Sequence, residues 1–260
     1  MTTTVKVAPD KLLVQTGGDE RDYQAMMYKF DRDMEFRDLD SRFFPLYGAS
    51  RKFSMTSVPA LYELYKSVQY IARAGIPGAL AECGVWRGGS VMMMAYTLLQ
   101  EKKADRDLYL FDTFEGLPEP DPAVDVDFEG NAAASQWFHG WARCARERVV
   151  ENVAATGYPR ELIHCVEGMV EDTLPELLVP QHLALLRVDT DWHSSTKIVL
   201  ETLWPRLANG GVLILDDYGH WQGARLATDN FFADKPVKMN RVDYAVRSIQ
   251  KAGKTNGAII

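Results

Sequence analysis

Five short, nearly continuous apolar runs punctuate the chain: 79–83 (ALAEC), 107–111 (DLYLF), 162–166 (LIHCV), 183–188 (LALLRV) and 211–215 (GVLIL). Segments of helical spacing fall between and after them, at 89–102, about 135–155, 171–178, 194–207 and 222–233. A strand with no polar alternation has both faces buried. A parallel sheet with helices on each side supplies that environment. The alternation therefore predicts one doubly wound α/β domain. Two short strand candidates, about 236–239 and 243–248, bring the expected mostly parallel sheet to seven strands.

Upstream, TSVPALYELYKSVQYIARAGIPG sets Val58, Leu61, Leu64, Tyr65, Val68, Ile71 and Ala72 at helical spacing. Thr56 or Ser57 can cap that helix, Pro59 suits its first turn, and Gly75 and Pro77 end it. Residues 1–55 read as an N-terminal arm with one helix around Tyr23–Phe36, and 56–260 as the α/β domain. The aromatic residues of 30–50 point to a second copy of the chain as a candidate partner, most simply in a dimer.

Charge and cysteine content narrow the function classes. Lys plus Arg is 29 against 36 Asp plus Glu, a net charge of −7, which disfavours nucleic acid as a partner. The three cysteines, Cys83, Cys144 and Cys165, are scattered and form no CxxC pair, so neither a disulfide framework nor a zinc site is expected. No apolar run approaches the roughly 20 residues of a membrane span. The N-terminus has no signal-peptide pattern, so a cytoplasmic location without membrane association is expected.

In a doubly wound sheet, ligands bind beyond the carboxyl ends of the strands. The residues at those positions are Glu82–Gly84, Asp112–Gly116, Glu167–Met169, Asp189–His193 and Asp216–Trp221, rich in acids and glycines. AECGVWRGGS joins the first strand to its helix: Gly84 permits a sharp turn, and Gly88 and Gly89 let backbone amides approach a ligand. It is neither a phosphate-binding GxxxxGK[ST] loop nor a dinucleotide GxGxxG. Glu82 ahead of the turn suits an ammonium, and Asp112 at the end of the second strand suits a ribose diol. S-adenosylmethionine carries both groups.

Asp189, Asp216 and Asp217 end two strands expected to be neighbours. Gathered in one cleft they would repel unless protonated or joined by a cation. An all-oxygen set favours Mg²⁺ or another hard divalent ion. Capping of the following helix by Ser194 or Ser195 would leave these acids unexplained. Asp191, two residues from a ligand, is the expected general base. His193 and His220 are weaker candidates, since a lone histidine beside tryptophan is more often structural. The acidic, aromatic segment 118–141 is long for a connection and reads as a lid or binding loop, with Trp137, Phe138 and Trp141 available to stack on a ligand.

AECGVWRGGS, LFDTFEGLP, LRVDTDWHSSTKIVLETLWPRLANGGVLILDDYGHWQGAR and MTSVPALYELYKSVQYIARAGIPG together resemble the macrocin O-methyltransferase family, over residues 51 to 233. The resemblance implies a class I methyltransferase sheet whose last strand is antiparallel. It implies S-adenosylmethionine- and Mg²⁺-dependent methylation of a small-molecule hydroxyl, on a sugar of an antibiotic or related natural product. By position, Glu82, Ser90 and Asp112 would hold the cofactor, with Gly84, Gly168 and Met169 beside it. Asp189, Asp216 and Asp217 would ligate the metal, and Asp191 would act as base. Where assigned relatives often read Asp-Gly-Asp, this chain has Asp189-Thr190-Asp191, which keeps both acids. A catechol or other non-sugar diol as acceptor, or an inert cofactor-binding module, stays open as an alternative.

Overall fold

The computed structural model describes residues 39–176 and 180–253. The helix expected at Tyr23–Phe36 lies outside the described residues, as does the end of the one expected at 171–178. Seven strands form one sheet: β1 (Ala79–Cys83), β2 (Leu108–Asp112), β3 (Ile163–Glu167), β4 (Leu183–Val188), β5 (Leu207–Leu215), β6 (Met239–Arg241) and β7 (Arg247–Gln250). Their order is β3-β2-β1-β4-β5-β7-β6. The first five are mutually parallel, and β7 runs antiparallel to both its neighbours. Strand order reverses between β1 and β4, so the cleft above their carboxyl ends is the switch point where ligands bind in such sheets.

Helices α1 (Phe43–Ser50), α2 (Val58–Arg73), α3 (Gly89–Gln100) and α4 (Arg146–Ala154) cover one face. They pack on Leu80, Leu110, Val212 and Ile214. Helices α5 (Val170–Glu176), α6 (His193–Leu203) and α7 (Gln222–Phe232) cover the other, against Ala81, Phe111, Leu186 and Leu213. Ser57 caps α2 by accepting from Ala60 N at 3.2 Å, and Gly75 leaves it with φ 64°, as the spacing predicts. The described part of the arm packs into the domain core. Phe43 is fully buried, stacked on Tyr47, edge-on to Tyr62 and tilted against Tyr65, a burial worth roughly 1.5–3 kcal/mol. Aromatics expected to meet a second subunit are thus partly used within the chain. No helix among the described residues is long and apolar enough to cross a membrane.

Several element boundaries differ from expectation, and β5 begins at Leu207, four residues before the predicted start at 211. The helix predicted over 135–155 forms only as α4, after a single 3-10 turn at Ala133–Ser135. Gly140, at φ 85°, breaks the run, and Trp137 and Trp141 pack toward the cleft instead of along a helix face. α6 stops at Leu203, ahead of Pro205, which lacks an amide and disfavours helix in the residue before it. The terminal strands lie later than predicted, because Asp243 Oδ1 accepts from Ala245 N and Val246 N and turns the chain there.

Candidate active site

Register alone brings the acids together. Glu82 is the Cα partner of Arg187 across β1 and β4, and Arg187 that of Ile214 across β4 and β5. Side chains alternate faces along a strand, so Glu82, Arg187 and Asp189 project on one side, where Asp216 joins them. That face is the apolar one of Leu80, Val212 and Ile214, which becomes ionic at its carboxyl end. A cavity of about 620 Å³ opens there, of a size suited to a small-molecule ligand. The predicted cofactor, metal and base residues line it, namely Glu82, Gly84, Ser90, Asp112, Gly168, Met169, Asp189, Asp191, Asp216 and Asp217, whereas the weaker candidates His193, Trp137 and Phe138 do not.

The glycine turn is built for close approach. A Cβ on Gly84, at φ 82°, would lie 1.8 Å from the Asp189 carbonyl oxygen, so only glycine lets β1 end against β4. Gly89 does something the sequence reading does not anticipate. The Phe53–Ser54 backbone crosses directly over it, 2.6 Å from where a Cβ would stand, and brings residues 53–56 to the cavity wall. Asp112 is also committed locally. Its Oδ2 accepts from Val85 N and Trp86 N at 2.7 and 3.1 Å, and its Oδ1 from Phe114 N at 2.7 Å. Burial raises its pKa, and those three amides oppose the rise. Asp112 therefore pins the glycine turn while it lines the cavity.

Asp189, Asp216 and Asp217 each offer a carboxylate oxygen within 4.8 Å of the others. Burial, and then their mutual repulsion with Asp191, raises Asp217. Burial likewise raises Asp216 against the pull of Arg187. Arg187 is the principal site residue that sequence reasoning missed. Its side chain is 1% exposed, and it ion-pairs with Glu82, Asp189 and Asp216. The signal for it is legible in retrospect. An arginine inside LALLRV can be buried only if it is paired, and the acids around it are the partners. Glu82 Oε1 takes one of its hydrogens, while the buried Glu82 Oε2 accepts none. Burial pushes the Glu82 carboxyl up to about 7 in spite of Arg187.

Asp191 adopts φ 63°, a left-handed conformation that beyond glycine is met chiefly in asparagine, aspartate and histidine. Its amide donates to Asp217 Oδ2 at 3.1 Å, and its Oδ1 accepts from Trp221 Nε1 at 2.8 Å. Burial and the neighbouring Asp189 charge push its pKa up to about 8, with the indole bond working against them. Neither Ser194 nor Ser195 caps α6. Ser195 Oγ donates to the carbonyls of Thr190 and Trp192, and Ser194 to Glu171. The cap comes from the 118–141 loop, whose buried Asp125 accepts from His193 N at 2.8 Å.

That loop is folded down onto the cleft. Val126 bridges Ala132, Asp127 bridges Trp221, and Trp137 Nε1 donates to the Leu117 carbonyl. Trp192 is buried against Trp221 at 5.0 Å and donates to Pro118 O, so it is structural. Trp141 lines the cavity and stacks at 16° on the exposed Phe138. His220 also lines the cavity, packed edge-on to Trp221, and burial lowers its pKa.

Comparison with known proteins agrees with this architecture. The macrocin O-methyltransferase (TylF) family model matches residues 6–251. The chain is 33% identical over 184 residues, 70% of this chain and 68% of the relative, to an 8-demethyl-8-(2,3-dimethoxy-alpha-L-rhamnosyl)-tetracenomycin-C 4'-O-methyltransferase of Streptomyces olivaceus. It is 30% identical over 197 residues, 72% of each chain, to a demethyldecarbamoylnovobiocin O-methyltransferase of Streptomyces niveus. Among solved structures, the O-methyltransferase NovP superposes with a TM-score of 0.67 at 26% identity, over 77% of this chain and 83% of that one. The calicheamicin methyltransferase CalS11 shares the fold, with a TM-score of 0.64 at 18% identity over 96% and 99% of the two chains. With its sheet order, its glycine turn and a family match over nearly its whole length, the chain belongs to the macrocin O-methyltransferase family.

Proposed function

We propose that this protein transfers a methyl group from S-adenosylmethionine to a hydroxyl of a glycosylated natural product, with a hard divalent cation in the acid cluster. The observation that carries this reading is one cavity holding Glu82 and the glycine turn at one part, and Asp189, Asp191, Asp216 and Asp217 at another. The relatives named above act, by their names, on sugars or related natural products, which supports a sugar hydroxyl as acceptor.

The residues fit both groups. Glu82 lines the cavity and its Oε2 is a buried acceptor without a partner, which an ammonium brought against it would satisfy. Asp112, Ser90, Gly84, Gly168 and Met169 line the same cavity and would enclose the rest of the cofactor, which supplies the methyl group. Asp189, Asp216 and Asp217 form an all-oxygen donor set suited to Mg²⁺, which would increase the acidity of an acceptor hydroxyl.

Asp191 takes the proton. A carboxyl with its pKa near neutrality is far better matched to that work than an ordinary aspartate. The Trp221 bond fixes Oδ1, no protein hydrogen bond among the described residues takes Oδ2, and the residue lines the cavity. The folded loop sets Trp141 on the cavity wall, where with Trp221 it would give a sugar ring an apolar face to lie against.

The test is product formation. Purified protein is incubated with S-adenosylmethionine, Mg²⁺ and panels of glycosides with vicinal hydroxyls, catechols and other diols. Turnover on glycosides that stops in EDTA and returns with Mg²⁺ is expected. Undiminished transfer in EDTA would sink the cation. Cofactor binding without turnover on any panel would leave an inert module as the better reading.

A further inference from the structure

We propose that Arg187 is a positioning residue that joins the cofactor subsite to the cation subsite. This rests on the reading above of Glu82 as an ammonium acceptor and Asp189, Asp216 and Asp217 as cation ligands. Arg187 itself touches neither the acceptor nor the cofactor in that reading.

Four terminal N–H groups of its guanidinium have four partners. Nη1 donates to Glu82 Oε1 and to Asp189 Oδ2 at 2.6 Å. Nη2 donates to Asp216 Oδ1 at 2.5 Å and to Thr56 Oγ1 at 2.8 Å. One planar fork thus reaches the ends of three strands, β1, β4 and β5, and the segment that crosses over Gly89.

The selection of oxygens is the informative part. In Asp189 and Asp216, Arg187 engages one carboxylate oxygen and leaves the other with no protein hydrogen bond among the described residues. Asp217 is treated the same way by a different donor, the amide of Asp191. Each proposed ligand therefore has one oxygen immobilised and one to offer. In Glu82, too, Oε1 is held and Oε2 is left over. A carboxylate whose second oxygen is fixed has lost most of its rotational freedom before a cation arrives. Such outer partners commonly change metal affinity 10- to 100-fold when removed.

A rival account gives Arg187 only the task of neutralising buried charge. The two differ in what lysine can replace. Lysine keeps the positive charge but presents a point ammonium that cannot hold acids on three strands in one plane. Charge balance alone predicts that Arg187→Lys binds cations as the parent does. It also predicts that removing the charge altogether tightens cation binding, because one nearby positive charge is gone. Positioning predicts weaker binding in both variants.

The experiment measures Mn²⁺ binding by electron paramagnetic resonance, with no cofactor and no acceptor, in the parent, Arg187→Lys and Arg187→Met. Folding is checked by circular dichroism. About a tenfold or greater loss of affinity is expected in Arg187→Lys, and a loss in Arg187→Met as well. Parent-like or tighter binding in either variant overturns the proposal. If neither variant folds, Thr56→Val carries the test: it removes a neutral partner of Arg187 and changes no charge, so Mn²⁺ affinity should fall several-fold, and unchanged affinity overturns the proposal. Asp216→Ala separates the levels. If the parent binds no Mn²⁺, or Asp216→Ala binds it equally well, the cation reading itself has failed. If Asp216→Ala abolishes binding while the Arg187 variants bind normally, only the positioning role is lost.

Discussion

Replacing Trp221 by phenylalanine isolates the proton-transfer role assigned to Asp191. The indole Nε1 donates to Asp191 Oδ1 at 2.8 Å, and that bond holds down a pKa which burial and Asp189 push up to about 8. A hydrogen bond to a charged group is worth about 1.5–3 kcal/mol, and one pKa unit corresponds to about 1.4 kcal/mol. Phenylalanine keeps the ring against Trp192 and His220 but cannot donate. The Asp191 carboxyl should therefore titrate about 1 to 2 pH units higher in Trp221→Phe. The base is active when ionised, so the acidic limb of the kcat/KM profile moves to higher pH by the same amount. On that limb the variant runs about 10- to 100-fold slower, and the deficit closes as pH rises. A bound cation lowers the starting value in both proteins and leaves the direction unchanged. The assay is methyl transfer followed across pH at subsaturating acceptor, with thermal melting as a control for packing. A loss of equal size at every pH, with the limb unmoved, would refute the assignment of Asp191 as the titrating base.

Other consequences are equally direct. Glu82, Asp191, Asp216 and Asp217 all have pKa values raised in the folded chain, so the folded state holds extra protons. Their contribution to stability is complete below about pH 4 and is lost as pH rises through about 7 for Glu82 and about 8 for Asp191. Cation-free protein should thus melt at progressively lower temperature from about pH 5 to about pH 8.5, and Mg²⁺ should flatten the decline while releasing protons detectable by calorimetry in two buffers. A Tm that climbs over that range without Mg²⁺ would contradict the burial of these acids. Asp125→Ala removes the cap that the loop supplies to His193 N and should cost about 0.5–2 kcal/mol in urea denaturation. An unchanged midpoint would mean the loop is not docked there. Gly84→Ala has to fit a Cβ 1.8 Å from the Asp189 carbonyl oxygen at φ 82°, and should yield no folded protein; normal expression and melting would show that β1 and β4 separate more easily than their register implies.

The order and kind of the main elements were legible in the chain because a doubly wound sheet writes itself as short apolar runs between amphipathic segments. Strand ends were legible for the same reason: LRVDTD and LILDD show where burial stops and charge begins. That was enough to name Asp189, Asp191, Asp216 and Asp217 and the glycine turn. Packing alone decided which polar groups serve the site and which serve the scaffold. Asp125 and Asp191 look alike in sequence, yet one caps a helix and the other faces the cavity. His193 begins a helix, whereas His220 reaches the cavity wall. Arg187 looks like one basic residue in an apolar run until register sets it beside Glu82 and two further acids. Hydrophobic periodicity is a local property and can be read along a chain. Three of the partners of the buried Arg187 stand 29 (Asp216), 105 (Glu82) and 131 (Thr56) residues away in sequence, and only the fold brings them within hydrogen-bonding distance.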